Sequence, residues 1–293
     1  MKKHIICFGD SNTHGYCADP ADTVDGGIRF NEQERWTRLL QERLGEDYLV
    51  IEEGLSGRTT CFDDPIHEGL NGLNYIYPCL KSHEFVDLLI IMLGTNDCKD
   101  RFYSSAACIG IGMARLVKKA LATGCWGPNK PNVLVIAPPP IGEGMLSSEV
   151  AATMGEKCVD KSRELAHYYK AQCDLIGCHF ADAGAMGCEF NTVDYMHLTK
   201  KGHATLAENL AKLVPELVKL KMLPLSGSIF RGHIGLEHGL DQQGANQGCQ
   251  GRQEKQGQNV KGTGKPGSCV QNAQHQGPGQ IGQRQKHRVF QQT

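Results

Sequence analysis

Short, continuous apolar runs constrain most strongly what this chain can fold into. They are the segment from His4 to Phe8, YLVIEE at 48–53, VDLLIIML at 86–93, NVLVIAP at 132–138 and, more weakly, CHFADA at 178–183. Such runs, rich in β-branched residues and without polar alternation, are typical of parallel strands that are covered on both faces.

Segments with helical spacing of apolar residues separate these runs. They are EQERWTRLLQERL at 32–44, the stretch 105–124, the stretch 147–177 and the stretch 199–221. Strands that alternate with helices predict βαβ units and a doubly wound parallel sheet, so the expected fold class is α/β. Ligands of such sheets bind beyond the carboxyl ends of the strands.

The overall composition argues against several classes of protein. A formal net charge of -1 gives no electrostatic reason to expect nucleic acid or an anionic membrane as the main partner. No apolar run approaches the length of a membrane span, and the first one is too short for a secretory signal. The 13 cysteines are scattered without a CxxC pair, which favours reduced thiols in a cytoplasm and gives no reason to expect a metal.

The composition changes after about Leu225. The rest of the chain is rich in glycine and glutamine, and from Ser226 onward it carries eight Lys/Arg against three Asp/Glu. It has too few apolar residues to offset the entropy of ordering. We therefore predict a folded domain over 1–224 and a disordered tail over 225–293. A passive extension is favoured over a basic tether for RNA or an acidic surface.

A serine stands at the end of the first run, in CFGDSNTHGY at 7–16. At a strand-to-helix turn, the Ser11 hydroxyl would lie at the mouth of the sheet, near N–H groups that are free at a helix start. By itself Ser11 is explained as well by an N-cap role, and Asp10 is expected to hold the turn. As a nucleophile it would need a neighbouring base.

A base is available in VDYMHLT, just before the last helical segment. Asp194 and His197 are three residues apart, a spacing that can bring both side chains to one side of a tight turn. Asp194 could then orient the imidazole while His197 faces the serine. An ordinary surface histidine beside a helix start is the alternative.

Two further turns could supply donors for a developing oxyanion. Gly57 follows the second strand, and Asn96 follows the third. A glycine lets its backbone N–H approach a substrate closely, and an asparagine can aim its NH₂ group at the same point. Each is also a common turn residue. The serine, the glycine, the asparagine and the Asp–His pair would all lie at one edge of the predicted sheet. Their order along the chain favours a catalytic site.

The same segments carry a family resemblance. GDSNTHG, SGRTT, GTND and DYMH resemble the motif blocks of the SGNH (GDSL) hydrolases, and the likeness covers roughly residues 3 to 220. RW at 35–36, LNGLNY, VLVIAPPP and FADAG resemble the arylesterase/acyltransferase branch. The resemblance implies a three-layer α/β/α, flavodoxin-like sandwich with a five-stranded parallel sheet. It also implies a homo-oligomer that acts on a small-molecule ester without a cofactor.

Residue roles follow from the resemblance motif by motif. Ser11 would be the nucleophile, His197 the general base and Asp194 its orienting partner. The oxyanion donors would be the N–H groups of Ser11 and Gly57 and the side chain of Asn96.

One departure concerns the positions after the serine. The branch tends to have tryptophans there, whereas this chain has His14 and Tyr16, which we expect to bind substrate. Their polarity favours water over an alcohol as the acyl acceptor.

The expected function is a short-chain serine esterase with minor acyl transfer. Carbohydrate acetylesters, thioesters and lysophospholipids are alternative substrates. A binding module of the same fold without catalysis is the non-enzyme alternative, although the chain has no GxGxxG after the first strand.

Overall fold

A five-stranded parallel sheet lies at the centre of the protein in the computed structural model, which describes residues 1–220. Its strands are β1 (Lys3–Gly9), β2 (Tyr48–Gly54), β3 (Leu88–Met92), β4 (Val133–Ala137) and β5 (His179–Asp182). The spatial order is β2-β1-β3-β4-β5, with every neighbouring pair parallel. This order confirms the predicted α/β, flavodoxin-like sheet. The predicted tail, 225–293, lies outside the described residues.

Seven α-helices accompany the sheet in the described part of the chain. They are α1 (Ser11–His14), α2 (Trp36–Leu44), α3 (Gly72–Ser82), α4 (Ala106–Ala122), α5 (Ala151–Met154), α6 (Cys158–Ile176) and α7 (Lys200–Leu220). No helix within residues 1–220 combines the length and the apolar character that crossing a bilayer requires.

Helices cover both faces of the sheet, which explains why the strands lack polar alternation. On one face, Ile6 and Phe8 of β1 belong to a core with residues of α3, α4 and α6. On the other, Ile5 and Cys7 belong to a core with residues of α2 and α7. Every residue of β3 and β4 is buried. The result is the three-layer α/β/α sandwich expected from the sequence.

Two helical regions differ from the sequence prediction. Helix α3 is not among the predicted elements, because Pro78 interrupts its pattern and removes one helical N–H donor. The stretch 147–177, predicted as one helix, is divided into α5 and α6 at Gly155. That residue has a φ of +85°, and a Cβ there would lie 2.4 Å from Asp100 Oδ2. Close packing against Asp100 and the left-handed backbone both require the break.

The chain reverses its direction across the sheet between β1 and β3, and a crevice opens at such a point. The end of β2 packs closely against α1 at the same edge: a Cβ on Gly54 would lie 2.2 Å from His14 N. A side chain at position 54 would therefore push α1 away from the sheet. The first residue of α1 is Ser11, so this contact fixes where its hydroxyl lies.

Candidate active site

Asp10 shapes the turn that carries Ser11. Its Oδ1 accepts a hydrogen bond from Asn12 N at 3.0 Å and so caps α1. Burial raises the pKa of the Asp10 carboxyl to about 6, although the Asn12 N–H and the charge of His197 oppose this rise. Asp10 thus holds the turn, and Ser11 follows it as the first residue of the helix.

Ser11, His197 and Asp194 form one hydrogen-bonded chain. His197 Nε2 lies 2.7 Å from Ser11 Oγ, and His197 Nδ1 lies 2.6 Å from Asp194 Oδ2. An ionised carboxylate only accepts, so Nδ1 is assigned the proton and Nε2 accepts from the serine hydroxyl. The arrangement can draw a proton from Ser11 toward the imidazole.

Asp194 is held in its ionised form. Burial favours the neutral acid, but hydrogen bonds and the charge of His197 outweigh it and lower the pKa of Asp194 to about 2. Its Oδ1 accepts the backbone N–H groups of Met196 and His197, each at 3.1 Å, and Asn191 Nδ2 at 3.1 Å. The carboxylate can therefore orient the imidazole and balance a positive charge on it.

Free donors follow β1 and β2 at this edge. The backbone N–H groups of Ser11 and Gly57 donate to no group within residues 1–220. Gly57 has a φ of +86°, in the left-handed region that glycine adopts at little cost. Asn96, after β3, donates one N–H of its amide to Arg58 O at 3.2 Å, which leaves the other N–H available beside the Gly57 turn.

Arg58 anchors the Gly57 turn to the sheet. Its guanidinium carbon lies 4.2 Å from the centroid of the Phe8 ring and 5.2 Å from that of Tyr75. Its Nη1 donates to Gly9 O at 3.0 Å and also to Glu53 O. Since Gly9 and Glu53 belong to β1 and β2, Arg58 ties the turn to the ends of two strands.

A second tie joins this turn to the one after β3. Asp97 accepts the Thr60 N–H at 2.9 Å and the Thr60 hydroxyl at 2.5 Å. Burial raises the pKa of Asp97 to about 6 in spite of these bonds. The two turns that contain Gly57 and Asn96 are thereby held together.

His14 and Tyr16, expected to bind substrate, lie in different places. The Tyr16 ring is tilted against the His197 ring at a centroid distance of 4.6 Å. Its hydroxyl has no hydrogen-bond partner among residues 1–220. His14 instead packs against Gly54 at the end of β2, and burial lowers the pKa of its imidazole. Tyr16 therefore lies beside the hydrogen-bonded chain, whereas His14 contacts the sheet.

Several residues that shape the site were not singled out by sequence reasoning. They are Asn12, Arg58, Asp97, Asn191 and Tyr195. Four of them, all except Asn191, lie inside the motif blocks, but the groups they contact are distant in the sequence. Tyr195 has a φ of +61°, an uncommon value for a non-glycine residue, inside the turn between Asp194 and His197.

The described residues were also compared for clusters of side chains that bind metals. No group of three or more His, Cys, Asp or Glu side chains in residues 1–220 is placed to hold an ion. The cysteines described there are free thiols.

Comparison with known proteins finds a matching family and similar solved structures. Residues 7–205 match the GDSL-like lipase/acylhydrolase family. An aryl esterase from M. smegmatis is 38% identical with a TM-score of 0.66, over 73% of this chain and 99% of that chain. No curated protein sequence matches.

Two structures from Sinorhizobium meliloti are also similar. A carbohydrate acetylesterase is 37% identical with a TM-score of 0.66, over 74% of this chain and 100% of that chain. A carbohydrate acetylesterase family member is 32% identical with a TM-score of 0.67, over 74% of this chain and 99% of that chain. The similarity spans nearly the full length of each relative.

Proposed function

The chain belongs to the GDSL-like lipase/acylhydrolase, or SGNH, family, and on that premise we propose that it is a serine esterase of short-chain acyl esters. The observation that carries this proposal is the hydrogen-bonded chain of Ser11, His197 and Asp194, with distances of 2.7 and 2.6 Å. A hydroxyl, an imidazole and a carboxylate in this order activate an otherwise weak nucleophile.

In the first half of the reaction Ser11 is acylated. Ser11 Oγ bonds to the acyl carbon as its proton passes to His197 Nε2, and the carbonyl electrons move onto oxygen. When the tetrahedral species collapses, the bond to the alcohol breaks and His197 gives the proton to the leaving oxygen. Asp194, with its pKa lowered to about 2, stays ionised beside the transient imidazolium.

The negative charge on the tetrahedral oxygen requires donors that are already in place. We assign this role to the N–H groups of Ser11 and Gly57 and to the Asn96 side chain. The absence of other partners for the two N–H groups within residues 1–220 supports the assignment. Donors that need no rearrangement favour the transition state over the ester ground state.

In the second half water enters where the alcohol has left. His197 takes a proton from this water, and the hydroxide adds to the acyl carbon. Collapse breaks the bond to Ser11 Oγ, which regains its proton from the imidazole. Neither half needs a cofactor. Transfer to an alcohol follows the same steps, with the alcohol in place of water, and we propose it as a minor path.

Acetyl and aryl esters are the substrates we favour. The Tyr16 ring against His197 narrows the space beside the nucleophile, which disfavours long acyl chains. A second candidate is acetylated carbohydrate, which the similarity to a carbohydrate acetylesterase supports. Thioesters and lysophospholipids are alternatives of the same chemistry. The scattered free thiols support a cytoplasmic location. The homo-oligomer implied by the family stays a prediction.

The first prediction tests the roles of the triad. Ser11→Ala and His197→Ala are each expected to lower kcat for p-nitrophenyl acetate by about 10³-fold or more, and Asp194→Asn by less. Initial rates over an acyl series from acetate to octanoate, with an acetylated sugar as a parallel substrate, would rank the substrate classes.

Correct folding of each variant is checked by circular dichroism and by its melting temperature. Full activity of folded Ser11→Ala would contradict the proposal. Tight binding of esters without turnover by the unmodified protein would favour the non-enzyme alternative, a binding module.

A further inference from the structure

We propose that Asn12, the residue after Ser11, is a positioning residue that holds His197 in register with the Ser11 hydroxyl. The inference rests on the proposed function, since it assigns a supporting role to that same site. It adds a residue whose side-chain hydrogen bonds go to Met196 O and Leu198 N, and not to Ser11 Oγ or the imidazole of His197.

The Asn12 side chain forms hydrogen bonds with both residues that flank His197 in the sequence. Its Nδ2 donates to Met196 O at 3.3 Å, and its Oδ1 accepts from Leu198 N at 2.9 Å. Asn12 itself is only 1% exposed. Asn12 is the next residue after Ser11 in the chain, and it holds both neighbours of His197. Each of these two hydrogen bonds joins residues about 185 positions apart.

A carboxamide is the side chain that suits this place. One of its atoms must donate to a carbonyl, and the other must accept from an N–H. Aspartate could accept from Leu198 N but could not donate to Met196 O. Leucine could do neither, and it would leave two buried backbone groups without partners, each at a cost of about 1–3 kcal/mol.

Asn12 is itself fixed to the core through its backbone. Its carbonyl accepts from Trp36 Nε1 at 3.1 Å, and Trp36 N donates to His203 Nδ1 at 3.2 Å. Trp36 and His203 are fully buried in α2 and α7. The side chain of Asn12 therefore extends from a rigid base, and its two hydrogen bonds define a position for residues 196–198.

The turn that carries His197 has its own internal support, so the two effects can be separated. Asn191 N and Nδ2 both donate to His197 O at 2.8 Å. These bonds preserve the shape of the turn but do not reach Ser11. Apart from the Ser11–His197 bond, the two Asn12 bonds are the hydrogen bonds in residues 1–220 that join segment 9–16 to the turn 194–198. Without Asn12 the turn could shift as a unit.

The test compares kcat and KM of Asn12→Leu and Asn12→Asp for p-nitrophenyl acetate. A shift of the base by about 1 Å is expected to lower kcat of Asn12→Leu by about 10²-fold, with KM changed by less than about threefold. Asn12→Asp keeps one of the two bonds, and its kcat should fall by about tenfold. Because it is nearly isosteric, it carries the test where Asn12→Leu does not fold.

Asn132→Leu is the matched control. Asn132 is also a buried asparagine, and its Nδ2 donates to backbone carbonyls of Asp87 and Leu217, away from Ser11. Its loss should lower the melting temperature but leave kcat unchanged. Labelling of Ser11 by phenylmethylsulfonyl fluoride adds a second readout. The Asn12 variants should reach the same stoichiometry as the unmodified protein at a lower rate.

The outcomes separate this inference from the proposed function. Unchanged kcat in both Asn12 variants, with Ser11→Ala inactive, would overturn the role of Asn12 and leave the esterase proposal standing. An equal loss of kcat in Asn132→Leu would also overturn it, since the effect would then be general destabilisation. A fully active Ser11→Ala would overturn both proposals.

Discussion

Two buried aspartates near His197 have opposite pKa shifts. Burial raises the pKa of Asp10 to about 6, whereas at Asp194 burial is outweighed by hydrogen bonds from His197 and from backbone N–H groups, which lower the pKa to about 2. The difference lies in the number of donors, since one Oδ1 atom of Asp194 accepts three hydrogen bonds and Asp10 Oδ2 has no partner among residues 1–220. Residue type alone therefore does not decide which carboxylate supports the imidazole.

The second prediction concerns the donor at Gly57. Gly57→Ala is expected to lower kcat by about 10²-fold, because alanine is strained at a φ of +86° and its Cβ would meet Leu70 Cδ1 at 3.0 Å. Either effect moves the N–H that we assign to the oxyanion. Steady-state kinetics with p-nitrophenyl acetate would measure the loss.

Gly177→Ala is its control. Gly177 has a φ of +79°, and no atom beyond its chain neighbours lies within 4 Å of the place that a Cβ would take, so the same backbone strain arises at the end of α6. Both variants should lose about 1–2 kcal/mol of stability, but only Gly57→Ala should lose activity. Equal kcat in the two would show that the Gly57 N–H is not needed.

The third prediction concerns Tyr16 and the fate of the acyl-enzyme. Tyr16→Phe is expected to raise the ratio of benzyl acetate to acetate by about fivefold, since one water hydrogen bond of about 1 kcal/mol is lost beside His197. The measurement supplies vinyl acetate and benzyl alcohol in dilute buffer and follows both products over time.

The unmodified protein should form mainly acetate in this assay. Tyr48→Phe, at the opposite end of the sheet at the start of β2, should leave the ratio unchanged. A ratio that stays constant in Tyr16→Phe would mean that the tyrosine hydroxyl does not hold the attacking water.

At the level of elements, a buried histidine links two helices. His203 of α7 accepts a hydrogen bond from Trp36 N of α2 through Nδ1. Burial lowers the pKa of His203 to about 3. The ordinary value for an unfolded chain is about 6.5, so the folded state favours the neutral ring. The stability that His203 contributes is full above pH 6.5 and is lost as the pH falls toward 3.

The fourth prediction follows from the direction in which the stability contributed by His203 changes with pH. The stability difference between the unmodified protein and His203→Asn should shrink by about 1.4 kcal/mol for each pH unit from pH 6 to pH 4. Urea unfolding at several pH values would measure it. Asp10 and Asp97 act in the opposite direction, because their raised pKa values add stability as the pH falls through 6. They are common to both proteins and cancel in the difference.

His179→Asn serves as the comparison variant. Burial also lowers the pKa of His179, at the start of β5, but this residue is only partly buried. Its pH dependence should have the same sign and a smaller size. A stability difference for His203→Asn that does not change with pH would show that the ring is protonated in the folded protein.

For the whole molecule, the fifth prediction concerns the residues after 224. They are rich in glycine and glutamine and contain few apolar residues, so we predict that removing them costs little stability. A chain of residues 1–224 is therefore expected to keep its kcat and to melt within about 2 °C of the full chain. Differential scanning calorimetry and the esterase assay would check this.

A chain truncated further, into α7, serves as the control for the loss of a packed helix. A chain that ends before Leu206 would lack the buried side chains of Leu206, Leu210 and Val214 on α7. Each contributes about 1.5–3 kcal/mol, so this chain should not fold. If the 1–224 chain melted far below the full chain, residues 225–293 would have to stabilise the domain.

The sequence by itself determined the strands and the edge of the sheet at which the candidate site residues lie. Continuous apolar runs require cover on both faces, and the carboxyl ends of parallel strands meet at one edge. Ser11, Gly57 and Asn96 each lie in the turn that follows a strand, so their placement at this edge needs no knowledge of distant contacts. The order of the motifs in the chain was enough to associate them.

Only the tertiary structure decided how these residues are held. Asn12 reaches the backbone on either side of His197, Arg58 stacks on Phe8, and Gly155 ends a helix against Asp100. Each contact joins positions far apart in the chain. Hydrophobic periodicity and local propensity do not indicate which distant residue will be the partner. Hydrogen bonds and packing depend on where two segments meet in space, and that is settled only when the sheet and its helices are assembled.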